Sequence, residues 1–282
     1  MPAERLRVAV YGVGSMGRHH ARHLGELGVD VVLVDPAHGH HGDEREIDAA
    51  VVAVPTQAHV TVARPLLDRG IPCLVEKPLA ATAADAAVLA AYPHLAVGHV
   101  ERFNPTLRAL DGVAIRFVQT ERHAAYSGRG TDVDVILDLM IHDLDIFLGL
   151  VGADVVEVRA NGIAVATGGV DIAQARVTTR AGHVGTFTAS RVSRKQVRSF
   201  RAFADDAYWS LDLGARVGAR VTWGDGGLVE TPVRVEPLDP LRAELEAFLA
   251  AVRGLGPYTP SGASALAAMR LAEQVQGLCV AS

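Results

Sequence analysis

Lysine is rare in this chain of 282 residues: arginine supplies nearly all of the 27 basic side chains, and the only lysines are Lys77 and Lys195. Lys77 follows a short apolar run that ends at Glu76, and Pro78 holds it from the other side. A lysine partly desolvated at a strand end can stabilise an alkoxide or polarise a carbonyl. The plainer alternative is a surface lysine paired with Glu76, and its rarity and position favour the reactive role. A second set is Asp138, His142 and Asp145, spaced i, i+4 and i+7, which share one face if residues 134–150 are helical. Leu137, Ile141, Leu144 and Leu148 form the apolar stripe beside them. Nearby carboxylates favour the charged form of a histidine and burial opposes it, so His142 can be poised for general acid and base work. On spacing alone, a solvated helix face with an incidental histidine explains the pattern equally well. His19, His20, His23, His94, His123 and His183 read as ordinary structural or surface residues.

The elements that must position these groups begin near the N-terminus. Residues 7–11 form an apolar run that meets Gly12-x-Gly14-x-x-Gly17, then a helical stretch, then a second apolar run over residues 29–34 closed by Asp35. This is a βαβ unit with a dinucleotide fingerprint. Gly12 permits the tight turn, Gly14 lets the backbone around Ser15 and Met16 approach a pyrophosphate, and Gly17 lets the helix lie hard against the sheet. The helix N-terminus favours the phosphates further. Asp35 is placed to accept hydrogen bonds from ribose hydroxyls, and no arginine follows it directly, so NAD is expected over NADP.

Residues 36–46 leave no room for a helix and a third strand, so a truncated crossover is expected, which leaves the adenosine contacts open and NADP an alternative. His38, His40 and His41 lie there among glycines and charges; without a partner at metal-ligand spacing they read as solvated loop, and no metal site is expected. Residues 47–55 form a continuous apolar run, as in a parallel strand covered on both faces. It ends at Pro55, Thr56 and His59, at the carboxyl end where open α/β sheets bind ligands. Helices over residues 60–69 and 80–91 follow, the second capped by Thr82 with Asp85 three on, and strands end at Glu76 and Gly98.

From residue 113 onward, β-rich stretches recur at 113–122, 155–166, 171–179, 183–193, 197–204, 209–213 and 228–235, separated by glycine turns. Helices are expected at 240–254 and 261–280. The fold class is therefore α/β: a Rossmann domain over residues 1–105, shortened after its second strand, and an α+β domain over 106–282 that includes the C-terminal helices. The second domain holds a large, mostly antiparallel sheet with helices on one face. Its other face is expected to form a homodimer or homotetramer.

Bulk properties exclude several classes. A formal net charge of −5 without a basic stripe argues against nucleic acid as a partner. Cys73 and Cys279 are far apart in apolar surroundings, as expected of buried thiols in a reducing, cytoplasmic compartment. No apolar run is long enough to span a bilayer, and the start at Met1, Pro2, Ala3 and Glu4 lacks a signal-peptide pattern.

Taken together, Gly12-x-Gly14-x-x-Gly17, Val54-Pro55-Thr56-x-x-His59, Glu76-Lys77-Pro78, the segment from Gly98 to Pro105, and Asp138-x-x-x-His142-Asp143-x-Asp145 resemble the glucose-fructose oxidoreductase/inositol dehydrogenase (Gfo/Idh/MocA) family. The order is that of the family, from Val8 to about Val151, and the C-terminal helices resemble its ending. The resemblance implies NAD-dependent hydride transfer from a carbohydrate hydroxyl. It implies catalytic roles for Lys77, His142 and Asp138, and cofactor contacts from Gly12, Gly14, Ser15, Met16, Gly17, Asp35, Pro55, Thr56, His59, Glu76 and Lys77. Substrate contacts would come from Lys77, Glu101, Arg102, Asn104, Asp138 and His142. The stretches around Glu101–Pro105 and Arg191–Arg198 look like the UDP-N-acetylglucosamine 3-dehydrogenase members, which adds Arg191 and Arg198, with Arg194 and Lys195, as diphosphate contacts. Exposed strand charges would explain those four residues without a substrate. Two other functions fit the same fold: a non-sugar carbonyl reductase resembling biliverdin reductase, and a non-catalytic dinucleotide-binding regulator, against which the presence of both Lys77 and His142 argues.

Overall fold

The computed structural model describes residues 5–126 and 133–280, and the N-terminal residues 1–4 read above lie outside it. In chain order the elements are β1 (Arg7–Tyr11), α1 (Ser15–Glu26), β2 (Asp30–Asp35), β3 (His40–His41), β4 (Ala49–Val52), α2 (His59–Asp68), β5 (Cys73–Glu76), α3 (Ala83–Ala90) and β6 (Leu95–Gly98). There follow β7 (Phe117–His123), α4 (Ile141–Val151), β8 (Val155–Ile163), β9 (Ile172–Thr179), β10 (Val184–Ser190), β11 (Val197–Phe203), β12 (Ala207–Asp212), β13 (Val217–Gly224), β14 (Gly227–Pro232), α5 (Pro240–Val252) and α6 (Gly262–Val280). They form two compact units, Met1–Phe103 with Asp239–Leu266 and Asn104–Leu238 with Ala267–Ser282.

The first unit is built on a sheet in the order β3-β2-β1-β4-β5-β6. All neighbours are parallel except β3, which runs antiparallel to β2. Every residue of β4, β5 and β6 is buried, which is why their sequences are continuous apolar runs rather than alternations. The expectation of no third strand after β2 is corrected: Gly39, at φ +77°, turns the chain back, and His40 and His41 pair with Asp35 and Val34 as a two-residue edge. Placing the C-terminal helices wholly with the second sheet is corrected too. Leu245, Phe248 and Leu249 of α5, with Tyr258, are buried in one cluster with Val8, Val10, Leu24, Val51 and Leu74. Each such large apolar side chain contributes about 1.5–3 kcal/mol on burial, enough to recruit a helix that the chain reaches only after the whole second sheet. Thr82 caps α3 as expected, its hydroxyl accepting the amide of Asp85 at 3.1 Å.

The second unit is built on a sheet in the order β14-β13-β12-β11-β7-β10-β9-β8. Only the pairing of β7 with β10 is parallel. β13 is a strand without apolar alternation, because Val221 is its one buried residue, and the sequence carries no signal for it. One face of the sheet buries Val118, Phe187, Ala189, Phe200 and Ala202, and Phe147 of α4 meets Phe187 edge to face at 5.5 Å. At the far edge, Val217, Trp223, Leu228 and Val229 are exposed. Asp171 accepts the amides of Val165, Ala166 and Thr167 at 2.8, 2.6 and 2.8 Å, closing the β8–β9 connection. Burial raises its pKa, but those bonds and the Thr167 hydroxyl outweigh burial and hold the carboxyl well below the usual range. No helix among the described residues is long and apolar enough to cross a membrane.

Candidate active site

The parallel strands of the first unit carry their loops at one end, and the fingerprint turn is the tightest of them. Gly12 sits at φ +85°, and a Cβ there would meet the Ala53 carbonyl oxygen at 2.7 Å. A Cβ on Gly17 would meet the carbonyl oxygen of Gly12 at 1.8 Å, so α1 begins in direct backbone contact with the turn. Nothing lies within 4 Å of the corresponding point on Gly14. That open side, at the uncapped start of α1, is where the backbone offers amides and a positive dipole end to a pyrophosphate, so the residues present fit a dinucleotide. Asp35 Oδ2 accepts the Val13 amide at 2.7 Å and the His38 ring at 2.9 Å. The Val13 hydrogen bond, with smaller help from His38, keeps the carboxyl below its usual range, so Asp35 is anionic beside the turn. Arg45 is bound to Asp43 at 2.8 Å.

At the end of β5, Glu76 is buried and Lys77 half-buried. Glu76 Oε1 lies 2.6 Å from His20 Nε2, and its Oε2 accepts the backbone amide of Lys77 at 3.2 Å. Burial alone would raise the Glu76 pKa; the bond to His20, the charge of His20 and the proximity of Lys77 bring it below the usual range instead. An ionised carboxylate only accepts, so His20 Nε2 is the donor. His20, set aside in the sequence, is thus a fully buried partner of the Glu76 carboxylate. The Lys77–Pro78 peptide is cis. His59 faces the Pro78 carbonyl at 3.0 Å with one ring nitrogen and that of Val54 at 3.0 Å with the other. Burial lowers its pKa, and a neutral ring donates to only one of these carbonyls, so His59 braces one of the β4 and β5 loop ends. Thr56 is buried beside it and Pro55 is exposed. Glu101 is buried and Arg102 half-buried in the turn Val100–Phe103.

In the second unit the predicted helix is two pieces, a π-helical turn over Ile136–Met140 and then α4. Asp134 starts it, accepting the amides of Ile136 and Leu137 at 3.0 Å each, while Gln276 donates to its other oxygen at 2.7 Å. Every residue from Ile141 to Leu148 is buried, so the solvated-face alternative is excluded. His142 is 8% exposed and Asp145 1% exposed, whereas the Asp138 side chain keeps 27%. A widened turn inside a helix often marks a functional site, and here it carries Asp138 immediately ahead of His142. Asp143, which the spacing did not single out, forms a buried pair with Arg122 of β7 at 2.7–3.2 Å.

Two predicted substrate contacts have other duties. Arg191 is buried, donates to the Val133 carbonyl at 2.8 Å and lies 3.8 Å from Asp138 Oδ2. It faces the π turn rather than solvent, because its amide is held by the Asp171 carbonyl at 2.9 Å. Asn104 caps the turn Pro105–Leu110, accepting from Thr106 and donating to the Leu213 carbonyl at 2.9 Å. Arg198 is exposed, in register with Arg122, with Arg194 and Lys195 exposed in the connection before it.

Comparison with known proteins matches this geometry to a family. A family model described as oxidoreductase family, NAD-binding Rossmann fold, matches residues 38–93, and one described as the GFO/IDH/MocA C-terminal domain matches residues 111–209. The chain is 35% identical to UDP-N-acetylglucosamine 3-dehydrogenase of Acidithiobacillus ferrooxidans, with 96% of each chain covered. It belongs to the Gfo/Idh/MocA family of NAD-binding oxidoreductases. A solved structure of that A. ferrooxidans enzyme superposes with a TM-score of 0.92 at 32% identity, covering 98% of both chains. The rhizopine catabolism protein MocA of Rhizobium meliloti is 26% identical over 95% of this chain and 93% of its own length. As a family member the chain is a NAD-dependent oxidoreductase, and both the α/β fold class and the two sheets expected from the sequence are borne out.

Two outcomes follow for the cofactor. Gly17→Ala must displace backbone and should lower stability by about 1–3 kcal/mol in thermal unfolding. Gly14→Ala meets nothing, so it should cost little beyond a weaker helix cap while NADH affinity falls about tenfold or more. Unchanged NADH affinity in Gly14→Ala would remove the pyrophosphate from this turn. Because Asp35 is anionic, a 2′-phosphate would meet like charge, and fluorescence titration should give tighter binding of NADH than of NADPH. The reverse order would overturn that preference.

Proposed function

We propose that this protein oxidises a sugar nucleotide, with the 3-hydroxyl of UDP-N-acetylglucosamine as the reacting group. The observation that carries this reading is the near full-length similarity to an enzyme named for that reaction. A second support is exposed basic charge at the start of β11, where Arg194, Lys195 and Arg198 follow one another closely in the chain. A diphosphate gives arginine charge-assisted, often bidentate bonds, whereas a free sugar or cyclitol leaves that charge unused.

The roles assigned to side chains belong to the same proposal. His142 accepts the proton of the reacting hydroxyl as general base, a task suited to a buried histidine whose helix is pinned by the neighbouring Arg122–Asp143 pair. Asp138, on the π turn, orients it. Lys77 binds the same oxygen and stabilises the charge that develops there, with its backbone set by the Glu76 carboxylate. Bound NAD supplies the acceptor for the carbon-bound hydride. The protein's part is to hold that carbon in place and exclude water.

Lys77→Met and His142→Asn should each lower kcat by at least about 10²-fold with little change in NAD affinity. Near-normal turnover in either variant would strip that residue of its role. For the substrate, kcat/KM should favour UDP-N-acetylglucosamine over free N-acetylglucosamine and myo-inositol, and Arg198→Ala should raise KM for the nucleotide sugar alone. Equal use of the free sugar would refute the sugar-nucleotide assignment.

A further inference from the structure

Behind Lys77 lies a buried group of side chains that the reaction does not use. His20 from α1, Glu76 from β5 and Glu244 from α5 place their polar atoms within 4.8 Å of one another, and all three are buried, His20 and Glu244 completely. Glu244 brings two carboxylate oxygens into this space, and neither has a hydrogen-bond donor. The adjacent Tyr258 lowers the Glu244 pKa, against burial and the charge of Glu76, but its hydroxyl is directed to the Val97 carbonyl at 3.1 Å. Gly98 faces the cluster as well: a Cβ there would approach the Glu76 carboxyl at 3.2 Å.

We propose that Glu244 carries a proton which it donates to Glu76, so that His20, Glu76 and Glu244 form a proton-sharing cluster and Glu244 is a positioning residue for Lys77. Two carboxylates this close and buried cannot both stay ionised, because like charge and lost solvation act together. Glu76 has the better claim to the charge. It receives the His20 Nε2 hydrogen at 2.6 Å and the Lys77 amide at 3.2 Å, and Lys77 is a nearby cation. Glu244 has none of these, and burial followed by the charge of Glu76 pushes its pKa up. As an acid it gains a donor hydrogen, and the ionised Glu76, within 4.8 Å in the cluster, is the carboxylate to accept it.

The same three residue types can hold a divalent cation. Against this, His20 Nε2 and Glu76 Oε1 lie 2.6 Å apart in a direct hydrogen bond, too close for an ion to sit between those two atoms. A proton satisfies the cluster without breaking that bond. Its consequence is mechanical. With both oxygens of Glu76 held, by His20 on one side and the Lys77 amide on the other, the strand end that carries Lys77 has one conformation.

The relevance to turnover rests on the proposed role of Lys77, so the deciding measurement is one that does not need it. Infrared spectra of the full protein at neutral pH should contain the carbonyl band of a protonated carboxylic acid, and Glu244→Gln should remove it. In activity, Glu244→Gln, a neutral isostere that still donates, should keep kcat within about threefold, while Glu244→Ala should lower kcat about tenfold or more with NADH affinity retained. The inference fails if the band is absent, if Glu244→Gln is as impaired as Glu244→Ala, or if protein dialysed against chelator takes up one equivalent of zinc or manganese that Glu244→Gln abolishes. Should Lys77→Met leave turnover intact, the catalytic assignment falls, while the infrared band still reports the buried proton by itself.

Discussion

A carboxylate taken out of water must find a cation, donors or a proton, and in each unit of this protein that requirement sets the backbone next to the proposed reactive side chain. In the first unit Glu76, directly before Lys77, is buried against His20. In the second, Asp143, directly after His142, is buried against Arg122. Breaking a buried pair by removing one partner typically costs about 3–5 kcal/mol, so each pair holds its element in one place. The partners come from elsewhere in the chain, His20 from a helix and Arg122 from a strand. The proposed reactive groups are therefore placed by long-range contacts one residue away.

The dinucleotide turn is organised by exclusion rather than attraction. Gly12 and Gly17 are glycines because backbone oxygens occupy the space their side chains would need. Asp35 then ties the turn to the second strand through the Val13 amide, so one carboxylate both braces the loop and presents negative charge at its edge. A site assembled from backbone in this way is rigid before any ligand arrives, which reduces the ordering cost of binding.

Arginine use in the second unit follows the same economy of charge. Arg122 and Arg191 are buried and committed, one to Asp143 and the other to the Val133 carbonyl near Asp138. Arg198 is exposed, although it stands directly across from Arg122 in the sheet register. A run of basic residues in the sequence thus divides into structural and exposed members according to which positions the helices cover.

By itself the chain determined what depends on neighbours in sequence. The fingerprint turn, the buried parallel strands, the Thr82 cap, the mostly antiparallel second sheet and the family all rest on local spacing and periodicity, which the backbone reads residue by residue. Lys77 was singled out for its rarity and His142 for its acidic neighbours, both short-range signals. Only the tertiary structure decided the rest. It paired His20 with Glu76 across 56 residues and Arg122 with Asp143 across 21, and it carried α5 back to the first sheet. It also turned Arg191, Asn104 and His59 into struts. A polar residue looks the same in sequence whether it meets solvent or a buried partner. The choice is made by desolvation, which depends on what the fold brings to cover it.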